Sequence, residues 1–130
     1  MNPRKTPRLG AALRALEATT DNVILLDRDF RITYINRGTA KLNGITQESV
    51  LRQTIWETWP GNVGTDIERN SRKAMAEGVP VRFVHGYVEE GRFDLWLEIN
   101  ACPSPDGLAN LGRKPTRPRR HVLLHPPAAN

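Results

Sequence analysis

Cysteine is almost absent from this chain: Cys102 stands alone among 130 residues. A lone cysteine excludes an internal disulfide framework and the common zinc patterns. Long apolar runs are missing too. None approaches the roughly 20 residues needed to cross a bilayer as a helix. The basic start MNPRKTPR leads into no apolar segment of the secretory kind. The expectation is a cytoplasmic protein with no membrane contact. Catalytic constellations are lacking as well. Gly61 to Gly64, GNVG, is not followed by the Lys-Ser/Thr of a phosphate loop. Asp27 and Asp29 read as turn formers, because an Asp side chain bonds the backbone two residues on. With no Ser/His/Asp arrangement and no metal cluster, no enzyme activity is expected.

What is present begins with an uneven charge. The chain carries a net +5. Residues 9–109 hold 11 Lys/Arg and 14 Asp/Glu, so this stretch is mildly acidic at −3. The positive excess sits in residues 1–8 and 110–130. A nucleic-acid-binding domain more often carries its basic stripe on a structured face. Basic tails that bind phosphates weakly therefore support only an alternative reading, a nucleic-acid-associated transcriptional regulator. A small cofactor-binding enzyme ranks third.

Val23 to Leu26 is a β-rich run, Asp27-Arg28-Asp29 a turn, and Arg31 to Ile35 alternates polar and apolar. Asn36 is a natural N-cap for a helix through Leu42, and Gly44 a natural stop. Leu9 to Ala18 is helical in pattern, with Leu9, Leu13 and Leu16 on one face. Gln47 to Leu51 is a short helical turn with Thr46 as cap. Thr65 and Glu68 are spaced as a capping box for a helix that ends at Gly78. Val81 to Val88 and Phe93 to Cys102 read as a hairpin, ended by Pro103 and Pro105 before an Asp106-Gly107 turn. Side chains alternate across a strand. Val81, Phe83, His85, Tyr87, Phe93, Leu95, Leu97, Ile99 and Ala101 therefore face inward, and Trp96 and Val84 outward. The first strand is apolar on both faces, so its outer face needs a cover. The leucine stripe of residues 9–18 is the candidate, from the same chain or from a second copy.

The segments VILLDRDFRITYIN (23–36), IWETWP (55–60), RKAMAEGVPVRF (72–83) and LWLEINACPSPDGL (95–108) come in an order that resembles a PAS domain of the type found in sensor histidine kinases. The resemblance covers about residues 12–108. It implies an α+β fold, a PAS-like antiparallel sheet with helices on one face. It also implies a sensory or protein-interaction module of signal transduction, either stand-alone or a truncated piece of a sensor histidine kinase. Three parts of the chain are expected: a disordered basic start at 1–8, the PAS-like domain at 9–109, and a disordered Pro/Arg-rich tail at 110–130.

Members of that family enclose a pocket between sheet and helices. Ile24, Leu26, Met75, Phe83, His85, Tyr87, Leu97 and Ile99 are the candidates to line it. No particular cofactor follows. The helices carry no Cys for a flavin adduct, and the long helix carries no His for haem. The expected partners are a small-molecule ligand, a second copy through residues 9–18 and the outer sheet face, and a signalling protein for output. The family's last strand is central in its sheet, and ANLGRKPTRPRRHVLLHPPAAN (109–130) does not resemble it. The final central strand is therefore expected to be missing or degraded, with His121 to His125 as the only β-like run left to replace it.

Overall fold

The structure, a computed structural model, describes residues 5–89 and 93–114. Helix α1 (Lys5–Ala18) leads into strand β1 (Asn22–Asp27) and strand β2 (Ile32–Ile35). Helices α2 (Arg37–Leu42), α3 (Ile55–Thr58) and α4 (Asp66–Glu77) follow, with 3-10 turns at Glu48–Val50 and Pro60–Asn62. Strands β3 (Val81–Glu89), β4 (Phe93–Ser104) and β5 (Gly107–Arg113) complete one antiparallel sheet in the order β2-β1-β5-β4-β3.

The central strand is therefore present, against the expectation from residues 109–130. β5 pairs with β1 from Asn22↔Gly112 to Asp27↔Gly107, and with β4 from Glu98↔Arg113 to Ser104↔Gly107. Its sequence, GLANLGR, has no β-branched or aromatic residue, so intrinsic β preference is low. Hydrogen bonds to a strand on each side override that preference. Leu108 is buried at 2% exposure under the sheet. Residues 121–125, the one β-like run left to replace the central strand, lie outside the described residues. β5 also runs to Arg113, beyond the domain end expected at 109.

Pro103 was expected to end the preceding strand, yet it lies inside β4 and pairs with Leu108. Its other neighbour, β3, starts only at Val81, opposite Ala101. A proline lacking its N–H is tolerated where one side of the strand has no partner. The turn is then Pro105-Asp106, and Gly107 opens β5.

Local signals place the helices. Asn36 caps α2 by accepting from the Thr39 N–H, and Gly44 follows with φ 69°. The expected Thr65/Glu68 capping box is displaced: Thr65 accepts from Ile67 N–H, while Glu68 accepts from Gly64 N–H. A complete box stands instead at Thr54 and Glu57, opening α3. Asp27 Oδ1 accepts from the N–H groups of Asp29 and Arg31, as a turn former does.

The core has two apolar clusters. One gathers Leu26, Phe30, Ile32, Ile35, Ala40, Val50, Ile55, Ala74, Ala101 and Leu108. The other is Ile67, Leu97 and Ile99, with Phe83, Tyr87 and Leu95 packed against it. The expected faces hold in the pairing. Phe83↔Ile99, His85↔Leu97 and Tyr87↔Leu95 share the inner side, while the ring of Trp96 covers Gly86 on the outer side.

Candidate functional site

A cavity of about 560 Å³ lies between the inner sheet face and the helices, where the two clusters fail to merge. Protein interiors are close-packed, with few voids larger than a water. The volume falls in the range of roughly 300–1,000 Å³ typical of small-molecule sites. β1 contributes Asn22 and Ile24, α2 Thr39 and Leu42, and the α3 region Ile55, Trp59 and Asn62. Ile67 of α4, Tyr87 of β3, Leu95, Leu97 and Ile99 of β4, and Asn110 and Gly112 of β5 close it, together with Asn43.

Of the residues expected at the pocket, Ile24, Tyr87, Leu97 and Ile99 line this cavity. Leu26 is instead 3% exposed in the larger cluster, and Met75 packs against that cluster. Phe83 packs against the smaller one. His85 points inward but is held aside: its Nδ1 lies 2.5 Å from Asp66 Oδ1, and its ring meets Tyr87 edge-on. Trp56 and Trp59 diverge. Trp56 stacks near Phe30 and under Arg72, while Trp59 reaches the cavity and donates from Nε1 to Asn43 Oδ1.

The polar lining was not foreseen. Asn22, Asn43 and Asn62 come from element ends, Thr39 from the short helix α2, and Asn110 from β5, whose burial does not alternate, so alternation gives no signal. Burial pushes the Tyr87 phenol up to about 12, and the Asp66 carboxylate adds to this, so the hydroxyl stays protonated across the physiological range.

One buried polar knot ties the cavity wall to α1. Thr39 is 3% exposed and Asn36 fully buried. The Thr39 hydroxyl donates to Asn36 Oδ1 and accepts from Val23 N–H at 3.0 Å. Asn36 Nδ2 donates to the carbonyls of Leu16 at 2.9 Å and Asp21 at 3.0 Å. Glu17 secures the same helix end. Its carboxylate accepts from the Tyr34 hydroxyl at 2.6 Å, from Gln47 Nε2 at 2.8 Å and from Arg37 N–H at 3.1 Å.

The hydrogen bond from Tyr34 is the main reason the Glu17 carboxyl is held below its ordinary value. A depressed carboxyl pKa contributes stability at neutral pH that is lost as the pH falls through it. We expect α1 to loosen only as the pH falls below the ordinary glutamate value of about 4.3. Amide exchange at Leu16–Thr19, followed from pH 6 to pH 3, should show this. Glu17→Gln should give weaker docking at pH 6 and no such transition. Identical profiles would contradict the latch.

The family described as PAS fold matches residues 16–120. The chain belongs to the PAS family. Solved PAS structures share the fold. A PAS domain from Colwellia psychrerythraea is 18% identical, with a TM-score of 0.65 over 84% of this chain and 98% of that one. The photoactive yellow protein domain of the sensor histidine kinase Ppr from Rhodospirillum centenum is 19% identical, with a TM-score of 0.68 over 78% and 92%. A domain of a sensory box sensor histidine kinase/response regulator from Geobacter sulfurreducens is 19% identical, with a TM-score of 0.65 over 82% and 94%. No curated protein matches the chain. The chain is a PAS-type sensory module of signal transduction. Among the described residues, no helix is long and apolar enough to cross a membrane.

Proposed function

We propose that this PAS module senses a small molecule in the 560 Å³ cavity and reports occupancy through Thr39 and Asn36 to the end of α1. The observation that carries the reading is the knot itself. A cavity-lining residue, Thr39, is joined through its hydroxyl by one hydrogen bond to a buried amide that holds the α1 carbonyl terminus. A ligand that re-aims the Thr39 hydroxyl changes what Asn36 offers to α1. Output then passes to a partner signalling protein, and the chain performs no catalysis of its own. Similarity to domains of sensor histidine kinases supports a parent of that type. The reading includes pairing of two copies through α1, where Leu13 is 42% exposed; the side chain of Leu9 lies outside the described residues. The tails that a nucleic-acid role would use lie largely outside them too.

Blocking the cavity tests the ligand reading. Leu95 is half-buried on its wall. Leu95→Trp should fill the space with an indole without overpacking a closed core. Uptake of 9-fluorenone, an uncharged three-ring ketone, should fall at least tenfold while the thermal melt stays near that of the parent. Undiminished uptake in a folded variant would place the molecule elsewhere.

A further inference from the structure

The polar groups of the cavity wall fall into two sets. Some are committed to the fold: Thr39 to Asn36, Asn22 Oδ1 to the Thr39 hydroxyl, Asn43 Oδ1 to Trp59, and Asn43 Nδ2 to the Thr39 carbonyl. Others have no hydrogen bond to any described residue. These are the Tyr87 hydroxyl and the side-chain amides of Asn62 and Asn110, the last with a buried and unpaired Oδ1. A buried polar group without a partner costs roughly 1–3 kcal/mol; that penalty falls on the Asn110 Oδ1, while the half-buried Tyr87 and Asn62 keep their polar groups available to a ligand.

The lining also has a definite charge character. No residue on the wall is ionisable at neutral pH, and most of the wall is aliphatic or aromatic. The Asp66 carboxylate acts on Tyr87 from close by and is held by its bond to His85. A ligand carboxylate would lose its hydration, find no cation on the wall, and sit near a like charge. Desolvating an unpaired charge is far more costly than desolvating a neutral dipole.

We infer that the cavity takes an uncharged, largely apolar molecule bearing a hydrogen-bond acceptor such as a carbonyl oxygen, that the Tyr87 hydroxyl donates to that acceptor, and that carboxylates are rejected. This rests on the sensing reading above and narrows its ligand. Tyr87 suits the task by position. Its strand places it on the inner face opposite Leu95, and the His85 ring against its edge fixes the phenol. The Asn62 and Asn110 amides supply further polar contacts.

Three probes matched in shape test this on the full chain by calorimetric titration: 9-fluorenone, which carries the ketone; fluorene, which lacks it; and 9-fluorenone-2-carboxylate, which adds a charge. Fluorenone should bind about 3- to 10-fold tighter than fluorene, the value of one net hydrogen bond. The carboxylate should bind at least tenfold more weakly than the ketone. Tyr87→Phe should erase the ketone–hydrocarbon difference and leave fluorene unchanged, which also certifies that the variant is folded. The ranking of the three probes on the unaltered chain is a test that needs no variant. A preference for the carboxylate, or a ketone advantage that survives Tyr87→Phe, would overturn the inference while leaving the cavity a binding site. Failure of all three probes to bind would instead overturn the sensing reading, and the inference with it.

Discussion

Gly107→Ala is expected to destabilise the protein by about 3 kcal/mol or more, among the largest effects a single substitution gives. Gly107 opens the central strand with φ 156°. An added Cβ would lie 2.0 Å from the Leu26 carbonyl oxygen and 2.7 Å from the Asp27 carbonyl carbon. Both are backbone atoms of β1, which pairs directly with β5 here, so no side-chain rotation relieves the contact. β5 must retreat from β1, and the same shift disturbs its pairing with β4. Urea denaturation followed by circular dichroism reads the change. Gly38 gives the control: it lies within α2, and nothing stands within 4 Å of its added Cβ. Gly38→Ala should be neutral or stabilising by up to ~1 kcal/mol, from helix propensity alone. Equal stability of Gly107→Ala and the parent would mean that β5 does not sit in this register.

Asn36→Ala is expected to cost about 2–4 kcal/mol, because it removes a helix cap and several buried hydrogen bonds together. The Thr39 N–H and hydroxyl lose their acceptor, and the Leu16 and Asp21 carbonyls lose their donor. Stability should fall, and amide protection at Leu16–Thr19 should fall further than elsewhere. The second effect separates the tertiary role from capping. Asn36→Asp keeps an acceptor for the cap but gives up both donations to the carbonyls. It should therefore release α1 as well, at the added cost of a buried charge. A loss below about 1 kcal/mol for Asn36→Ala, the size of an ordinary cap, would reduce Asn36 to a local helix start.

The inner sheet face was legible because period-2 alternation acts over long strands. Tyr87, Leu97 and Ile99 could be assigned to one side, and Trp96 to the other, from spacing alone. Strong local chemistry was legible too: Asn36 before α2, Gly78 after α4, Asp27 in its turn. What was hidden shares a cause. β5 is specified by two neighbouring strands, and Ala109, Asn110 and Gly112 carry no sign of that. Leu26, Met75 and Phe83 satisfy the same alternation or helical facing as true lining residues. Alternation names a face, and packing along that face decides between core and cavity. His85 was diverted by Asp66, from the start of the preceding helix α4, a contact that strand alternation does not encode. The Asn36 side chain read as a cap, yet two of its five bonds reach back to α1 and the loop after it.

The link between cavity and α1 is the centre of the account, and amide hydrogen exchange on the full chain tests it most directly. Exchange is measured with and without saturating 9-fluorenone. The account predicts altered protection in two places at once: at cavity-lining Ile24, Leu97 and Gly112, and at Leu16 to Thr19, with the second change abolished by Thr39→Val. Protection that changes at the cavity but stays constant at Leu16–Thr19 would contradict it.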